Sequence, residues 1–372
     1  MKDNLKFKIN TILFAGLILL VFVFSVLLPK KDISSTERRK LKQMPKLTVE
    51  AVFTKKGSSS FMDEFELYAK DQFPMREVFR SINATTGRYL LGRQEINNLY
   101  VYDGYISKME ESLSEEDYVW SVSRIESIID KYVDDNKVYM SIIPDKNYYA
   151  APEAGYPYID MDEFERKYKE RLLGKVYFID IKDKLKLSDY YRTDTHWRQE
   201  QITDISEYIL AEMGKEVTAE YESNALDGDF YGVYYGQAAL PMKAEKLNYI
   251  SWDGMENIRV YNYESGSPVE ISMYDYDAVE GMDPYELYLY GSKSLLTIEN
   301  DDAEDGELII FRDSFGSSIA PLMSLGYKKI TLVDIRYISP SMLDRFVDFE
   351  NADILFLYST TVLNNSVGQF IK

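Results

Sequence analysis

LIIFRDSF, residues 308–315, holds the pattern on which the fold turns. Four apolar residues (308–311) form a run too short for a helix and without polar alternation, which predicts a strand buried on both faces. Arg312-Asp313-Ser314 follows, and then a helix-compatible piece over 315–326. The pattern recurs downstream in ITLV (330–333) and ILFL (354–357), with a helix-compatible stretch at 340–349 between them. Upstream, VYMSII (138–143) ends at Pro144, residues 163–173 read as helical, and VYFIDI (176–181) is strand-like again. Residues 197–213 carry apolar side chains at 197, 202, 205, 208, 209, 210 and 213, close to a 3.6-residue period. Short apolar strands alternating with helices predict an α/β fold, a mostly parallel sheet flanked by helices. In such sheets functional residues gather at the carboxyl ends of the strands.

Between about 215 and 305 the rhythm changes to Tyr, Gly and β-branched residues, with strands expected near 230–235, 257–262, 286–290 and 294–298. This reads as an inserted, mainly antiparallel β region. From Glu264 to Asp305 it carries twelve acidic residues and one base, Lys293. Asp301, Asp302, Glu304 and Asp305 could be read as a calcium site but lack the spacing of an EF loop, and a solvated acidic turn explains them as well.

The amino-terminal part has another chemistry. Residues 11–28 (TILFAGLILLVFVFSVLL) contain no charge and are flanked by lysines, which meets the threshold for a spanning helix. A cleaved signal peptide is the alternative, but no small-residue cleavage site follows. We expect an uncleaved signal-anchor over 1–29, a basic stalk or linker over 30–60, and an extracytoplasmic domain over 61–372. The stalk carries nine Lys/Arg between 30 and 56, suited to anionic headgroups or simply to water. Residues 61–92 have helical apolar spacing interrupted at Pro74.

Composition removes several function classes. With 43 basic and 62 acidic residues the net charge is −19, which argues against nucleic acid as a partner. The absence of Cys excludes disulfides, thiolate metal sites and a thiol nucleophile; a single His excludes multi-histidine metal motifs. No metal or other cofactor is expected. Any nucleophile needing an imidazole base has one candidate, His196.

Two motifs fall at predicted strand ends: Thr193-Asp194-Thr195-His196-Trp197, and Arg312-Asp313-Ser314-Phe315. A Ser at a strand-to-helix junction lies among free backbone N–H groups that can stabilise an oxyanion. His196 can accept its proton and Asp194 can hold the other imidazole nitrogen. Each has a plainer reading: a packed His, a chance Asp-Ser, and Asp194 as the N-cap of a helix beginning near Trp197.

The span from about residue 37 onward resembles the DHHW family, relatives of the AlgX/AlgJ polysaccharide O-acetyltransferases with an SGNH-hydrolase-like (flavodoxin-like) fold. The matching residues are DTHW (194–197), RDSF (312–315) and VDIRY (333–337), with weaker matches at DQFPMR (71–76), IPDK (143–146) and DFYGVYY (229–235). The resemblance implies Ser314 as nucleophile, His196 as base and Asp194 as orienting acid. It further implies a polysaccharide acceptor and a multi-span membrane-bound O-acyltransferase as acyl supplier. Arg336, Tyr337 and Tyr358, near the ends of the last two strands, are candidate substrate-binding residues, as are Lys146 and Trp197; each also has a structural reading. Two departures stand out. Thr195 occupies the place of a second His, and Arg312 replaces the Gly of the usual Gly-Asp-Ser. The same triad would serve a carbohydrate esterase, and a silent glycan-binding envelope-assembly protein is the reading from another class.

Overall fold

The computed structural model describes residues 2–47 and 61–371, which form two compact units: Met1–Ile96 with Tyr235–Pro241, and Asn97–Tyr234 with Met242–Lys372. The KKGSSS break at 55–60 lies outside the described residues.

In the first unit, helix α1 (Lys2–Leu27) contains a stretch, Leu5–Leu27, long and apolar enough to cross a membrane, with none of its apolar window buried. The stretch read as a stalk is partly folded. Strands β1 (Ile33–Ser34) and β2 (Arg39–Lys40) pair as a small hairpin, and Leu41 behind them is buried. Helices α2 (Phe61–Asp71) and α3 (Arg76–Tyr89) are separated at Pro74, as the periodicity predicts, because proline cannot donate into the ladder. The basic hairpin is held ionically. Arg39 forks onto Asp71 at 2.6 and 2.9 Å, and Glu37 meets Arg76 and Arg80 at 2.6 and 3.2 Å.

The second unit is a three-layer α/β/α sandwich. Its elements are α4 (Glu115–Tyr132), β3 (Val138–Ile143), α5 (Met161–Arg171), β4 (Tyr177–Phe178), α6 (Thr203–Glu212), β5 (Ile258–Asn262), β6 (Val269–Ile271), β7 (Leu295–Asn300), β8 (Glu307–Arg312), α7 (Phe315–Met323), β9 (Lys329–Val333) and β10 (Ala352–Ser359). The eight strands run in the order β6-β5-β7-β9-β8-β10-β3-β4. From β9 to β4 every pairing is parallel; β7, β5 and β6 continue the sheet antiparallel. The apolar runs are strands because both their faces are covered. Leu308, Ile310, Leu355 and Leu357 face a core with Ile205 and Ile209 of α6 and Ile319 and Leu322 of α7. Ile309, Phe311, Ile354 and Phe356 face a second core with Ile125 and Ile128 of α4 and Phe164 and Tyr168 of α5. The chain visits β9 on one flank of β8 and β10 on the other, so the strand order reverses about β8, and crevices in such sheets open at that point.

The region 215–305 corrects part of the sequence reading. The strands expected near 257–262 and 294–298 are β5 and β7, but they extend the central sheet rather than build a separate one. Residues 230–235 and 286–290 are not strands. Val233–Ala238 is helical, and Pro284–Leu287 is a 3-10 turn in which the Asp283 carboxylate accepts the Tyr285 N–H. Tyr285, Leu287 and Tyr288 fold under the sheet, so their β-like composition reflects burial. Asp301, Asp302 and Asp305 are exposed, with their carboxylates on Arg259, Asn257 and Lys328.

Candidate active site

Strand β8 delivers Arg312 in extended conformation, and α7 begins at Phe315 with Ser314 in the N-cap position. A Ser there usually caps the helix by accepting an N–H of its first turn. Here Ser314 makes no such bond. Asp313 does the local work instead: its Oδ1 accepts the Phe315 N–H at 3.0 Å, and its Oδ2 accepts the N–H and hydroxyl of Ser359, at the end of β10, at 2.8 and 2.7 Å. The Ser314 hydroxyl is thereby left for His196, whose Nε2 lies 2.7 Å from Oγ.

His196 comes from a loop 118 residues earlier. Tyr190 and Trp197 bridge as a short antiparallel pair, and Tyr191 N–H donates to the His196 carbonyl at 3.0 Å, which folds 190–197 into a tight loop. At its tip Asp194 Oδ1 sits 2.6 Å from His196 Nδ1 and accepts the His196 main-chain N–H at 3.1 Å, while Oδ2 accepts the Val233 N–H at 2.8 Å. Asp194 is not a helix cap, because the next α-helix starts at Thr203. Gly232 fits against the Asp194 main chain only because it lacks a side chain: a Cβ there would lie 2.3 Å from the Asp194 Cα. Asp194 is buried and His196 is 8% exposed, whereas Ser314 is half-buried.

The five residues proposed to bind substrate take different positions. Lys146 is fully buried. Its ammonium donates to the carbonyls of Tyr191, Arg192 and Asp194, the backbone of the Asp-x-His loop, and lies over the Tyr234 ring at 5.1 Å. Burial lowers its pKa to about 8, against the attraction of Asp145, Asp194 and Glu245. Trp197 is also buried and donates its indole N–H to Ser318 Oγ at 2.8 Å. Tyr358 belongs to the core beside Phe370, 5.4 Å between ring centres. These three touch loop, helix and core. Arg336, 13% exposed, forks onto Asp334, and Tyr337 is 54% exposed.

Arg312 needs no glycine in its place: it lies in the strand and is absent from the described residues with positive φ. Its fully buried guanidinium donates to Ser317 Oγ and the Gly291 carbonyl and lies 3.8 Å from Asp334. The close approach falls one turn later, at Gly316, where a Cβ would meet the Arg312 Cβ at 2.6 Å.

Three contributors were not anticipated from the sequence. Tyr285 stacks flat on His196, ring centres 3.8 Å apart and 8° between planes, and its hydroxyl donates to Ser318. Phe315 leans on the other ring contact at 4.8 Å. Glu245 accepts the main-chain N–H groups of Arg192 and Thr193 at 2.8 and 2.9 Å and so braces the loop from outside. Only Phe315 carried a sequence signal, as part of RDSF.

No family model matches the chain, and no curated protein matches it by sequence. Solved structures do. A DHHW family protein from Eubacterium siraeum aligns with TM-score 0.57 and 19% identity over 72% of this chain and 93% of its own. Bacillus cereus PatB1 with a sulfonyl adduct aligns with TM-score 0.59 and 19% identity over 74% of this chain and all of its own. This chain has their fold. The O-acetyltransferase domain of Pseudomonas putida AlgJ is more distant, at TM-score 0.42 and 11% identity over 72% of this chain and 92% of its own. The shared fold agrees with the DHHW resemblance carried by DTHW and RDSF.

Proposed function

We propose that this chain is an extracytoplasmic O-acetyltransferase that moves an acetyl group onto hydroxyls of an exported or cell-envelope polysaccharide through Ser314, His196 and Asp194. The observation that carries this reading is the hydrogen-bonded line Ser314–His196–Asp194, 2.7 and 2.6 Å, drawn from two distant loops. In the first step Ser314 Oγ attacks the acyl carbonyl of the donor, His196 takes the hydroxyl proton and passes it to the leaving group, and an acyl-serine remains. In the second step His196 takes the proton of a sugar hydroxyl as its oxygen attacks the acyl-serine, and returns that proton to Ser314. Asp194 stabilises the imidazolium in both steps. The amino-terminal dipole of α7 favours charge developing on the acyl oxygen; the N–H groups of its first turn are already engaged, Phe315 by Asp313 Oδ1 and Gly316 and Ser317 by the carbonyls of Asp313 and Ser314.

Arg336 and the exposed Tyr337 are proposed to line the acceptor side, Tyr337 as a ring on which a sugar can stack. Lys146 and Trp197 serve the site by holding its loop and helix, and Tyr358 packs in the core. Leu5–Leu27 is proposed to anchor the chain as a single span with the remainder outside, where a multi-span O-acyltransferase would deliver the acyl group. The neighbours' printed names, an O-acetyltransferase domain and a sulfonyl adduct, are compatible with acyl chemistry at a nucleophile.

The test is incubation of the full chain in detergent with an activated acetyl ester and a panel of glycans. Acetylated glycan supports transfer, and free acetate without it supports an esterase. Neither product, together with retained glycan binding, would leave the scaffold reading in place.

A further inference from the structure

Helix α3 is built inside out. Its charged residues point inward: Arg76 and Arg80, 15% and 17% exposed, pair with Glu37, and Arg80 also donates to the carbonyls of Gly236 and Gln237 within the same unit. Ala84 and Gly87 complete the buried face. Met75, Val78, Phe79, Ile82, Tyr89 and Leu90 are 46–78% exposed. Positions 75, 78/79, 82 and 89/90 fall on one side of a helix about 21 Å long, with the polar Thr86 between Ile82 and Tyr89. A helix in water normally does the reverse. Six exposed apolar side chains on one side of a helix mark an interaction surface.

We propose that this stripe lies in the acyl-headgroup boundary of the bilayer that α1 enters. The inference rests on the proposal that Leu5–Leu27 spans a membrane. Three observations select lipid as the occupant. The stripe belongs to the same unit as α1 and starts beside its end: Phe73, Pro74 and Met75 share a cleft with Leu28, Pro29 and Ile33. The junction is fixed, because Lys31 N–H donates to the Gln72 side chain, whose amide donates back to the Lys31 carbonyl at 2.8 Å. Exposed Lys30, Lys31 and Lys40 stand at that end, where anionic headgroups attract bases. Apolar residues on one face and a basic flank describe a helix that lies in the membrane surface.

The chain contains no cysteine, so a single introduced thiol takes a label cleanly. Full-length Phe79→Cys and Ile82→Cys, with Leu173→Cys (84% exposed, in the other unit) as reference, would carry an environment-sensitive fluorophore in nanodiscs of phosphatidylcholine and phosphatidylglycerol, one chain per disc. The labels at 79 and 82 should emit to the blue of the reference and lose most of their emission when the acyl chains carry a doxyl quencher; iodide should quench only the reference. Aqueous emission at 79 and 82 in a chain that resists carbonate extraction overturns the inference and leaves the anchor standing. Blue emission without doxyl quenching means that protein covers the stripe, and also overturns it. A chain that carbonate washes off overturns the anchor itself, and the inference with it.

Discussion

Glu37, Arg39, Asp71, Arg76 and Arg80 in the first unit, and Arg312, Asp313, Asp334 and Arg336 behind the Ser314 turn, are charge clusters of similar composition in different surroundings. In the first, side-chain exposures run from 9 to 40%, and Glu37 alone lies within reach of three arginines. Water screens each pair, and one partner can replace another. In the second, Arg312 and Asp334 are fully buried; Arg312 donates to Ser317 Oγ and the Gly291 carbonyl, and Arg336 forks onto Asp334. Water cannot take the place of a missing member. The same residue types therefore make a tolerant joint in one unit and a fixed mount in the other.

The largest effect is expected at the triad, which the fixed mount supports. Ser314→Ala or His196→Ala should each lower acyl transfer by roughly 10³-fold or more, and the double variant should be no worse, because the members act as one. Asp194→Ala should lose less. Arg39→Ala, measured the same way, should turn over at the parent rate. Thermal melting confirms that each protein is folded.

Next is the mount. Arg312→Met removes the buried bonds to Ser317 and Gly291 while Arg336 still pairs Asp334, and should lower stability by about 1–3 kcal/mol. Adding Asp334→Asn should deepen the loss in denaturant melts, because Arg336 then lies largely buried without its carboxylate. Recovery would show that Arg312 chiefly balances the Asp334 charge.

Lys146 comes third. Only the ammonium form has three protons for its three carbonyls, so parent activity should decline as pH rises through about 8, the value to which burial lowers it. Lys146→Met should be slower by about 10–100-fold through a displaced Asp-x-His loop and should lack that alkaline limb. Stability should move the other way. The native state releases this proton near 8 and the unfolded chain near 10.5, so across that window the unfolded state holds more protons, and this group's contribution rises with pH. Activity and stability that fell together there would remove the loop-holding role.

The smallest effect belongs to the tolerant joint. Arg39→Ala should cost no more than about 1 kcal/mol, because the pair is partly exposed. The bond from Arg39 lowers the Asp71 pKa to about 2 from 3.8. That stabilisation is complete above the ordinary value and is lost as pH falls toward 2, so the acid melt of the variant should be flatter over this window.

These contrasts also explain what the sequence allowed. LIIF, ITLV, ILFL and VYMSII were legible because a strand covered on both faces must be apolar throughout, and the break at Pro74 because proline ends a ladder. The residues that the structure brings together at 194, 196 and 314 were visible because the chain has one imidazole and few polar residues at strand ends. Tyr285 was not. Its neighbours carry the composition of a strand, and only the cap at Asp283 turns them beneath His196. The hairpin at 33–40 was hidden for the opposite reason: ion pairs, rather than an apolar pattern, hold it to α2 and α3.

The register of the central strands has a consequence for biosynthesis. Strand β3 at 138–143 has β10 at 352–359 for its neighbour, and β8, which carries the Ser314 turn, pairs with the opposite edge of β10. A ribosome makes β10 more than two hundred residues after β3, so until then the middle of the sheet has a gap, and the turn at Ser314 lacks the Ser359 that fixes Asp313. Contacts so far apart in sequence close late and slowly. On the proposed chemistry the nascent chain stays silent for most of its synthesis, and the Ser314 turn is fixed only when almost the whole domain has been made.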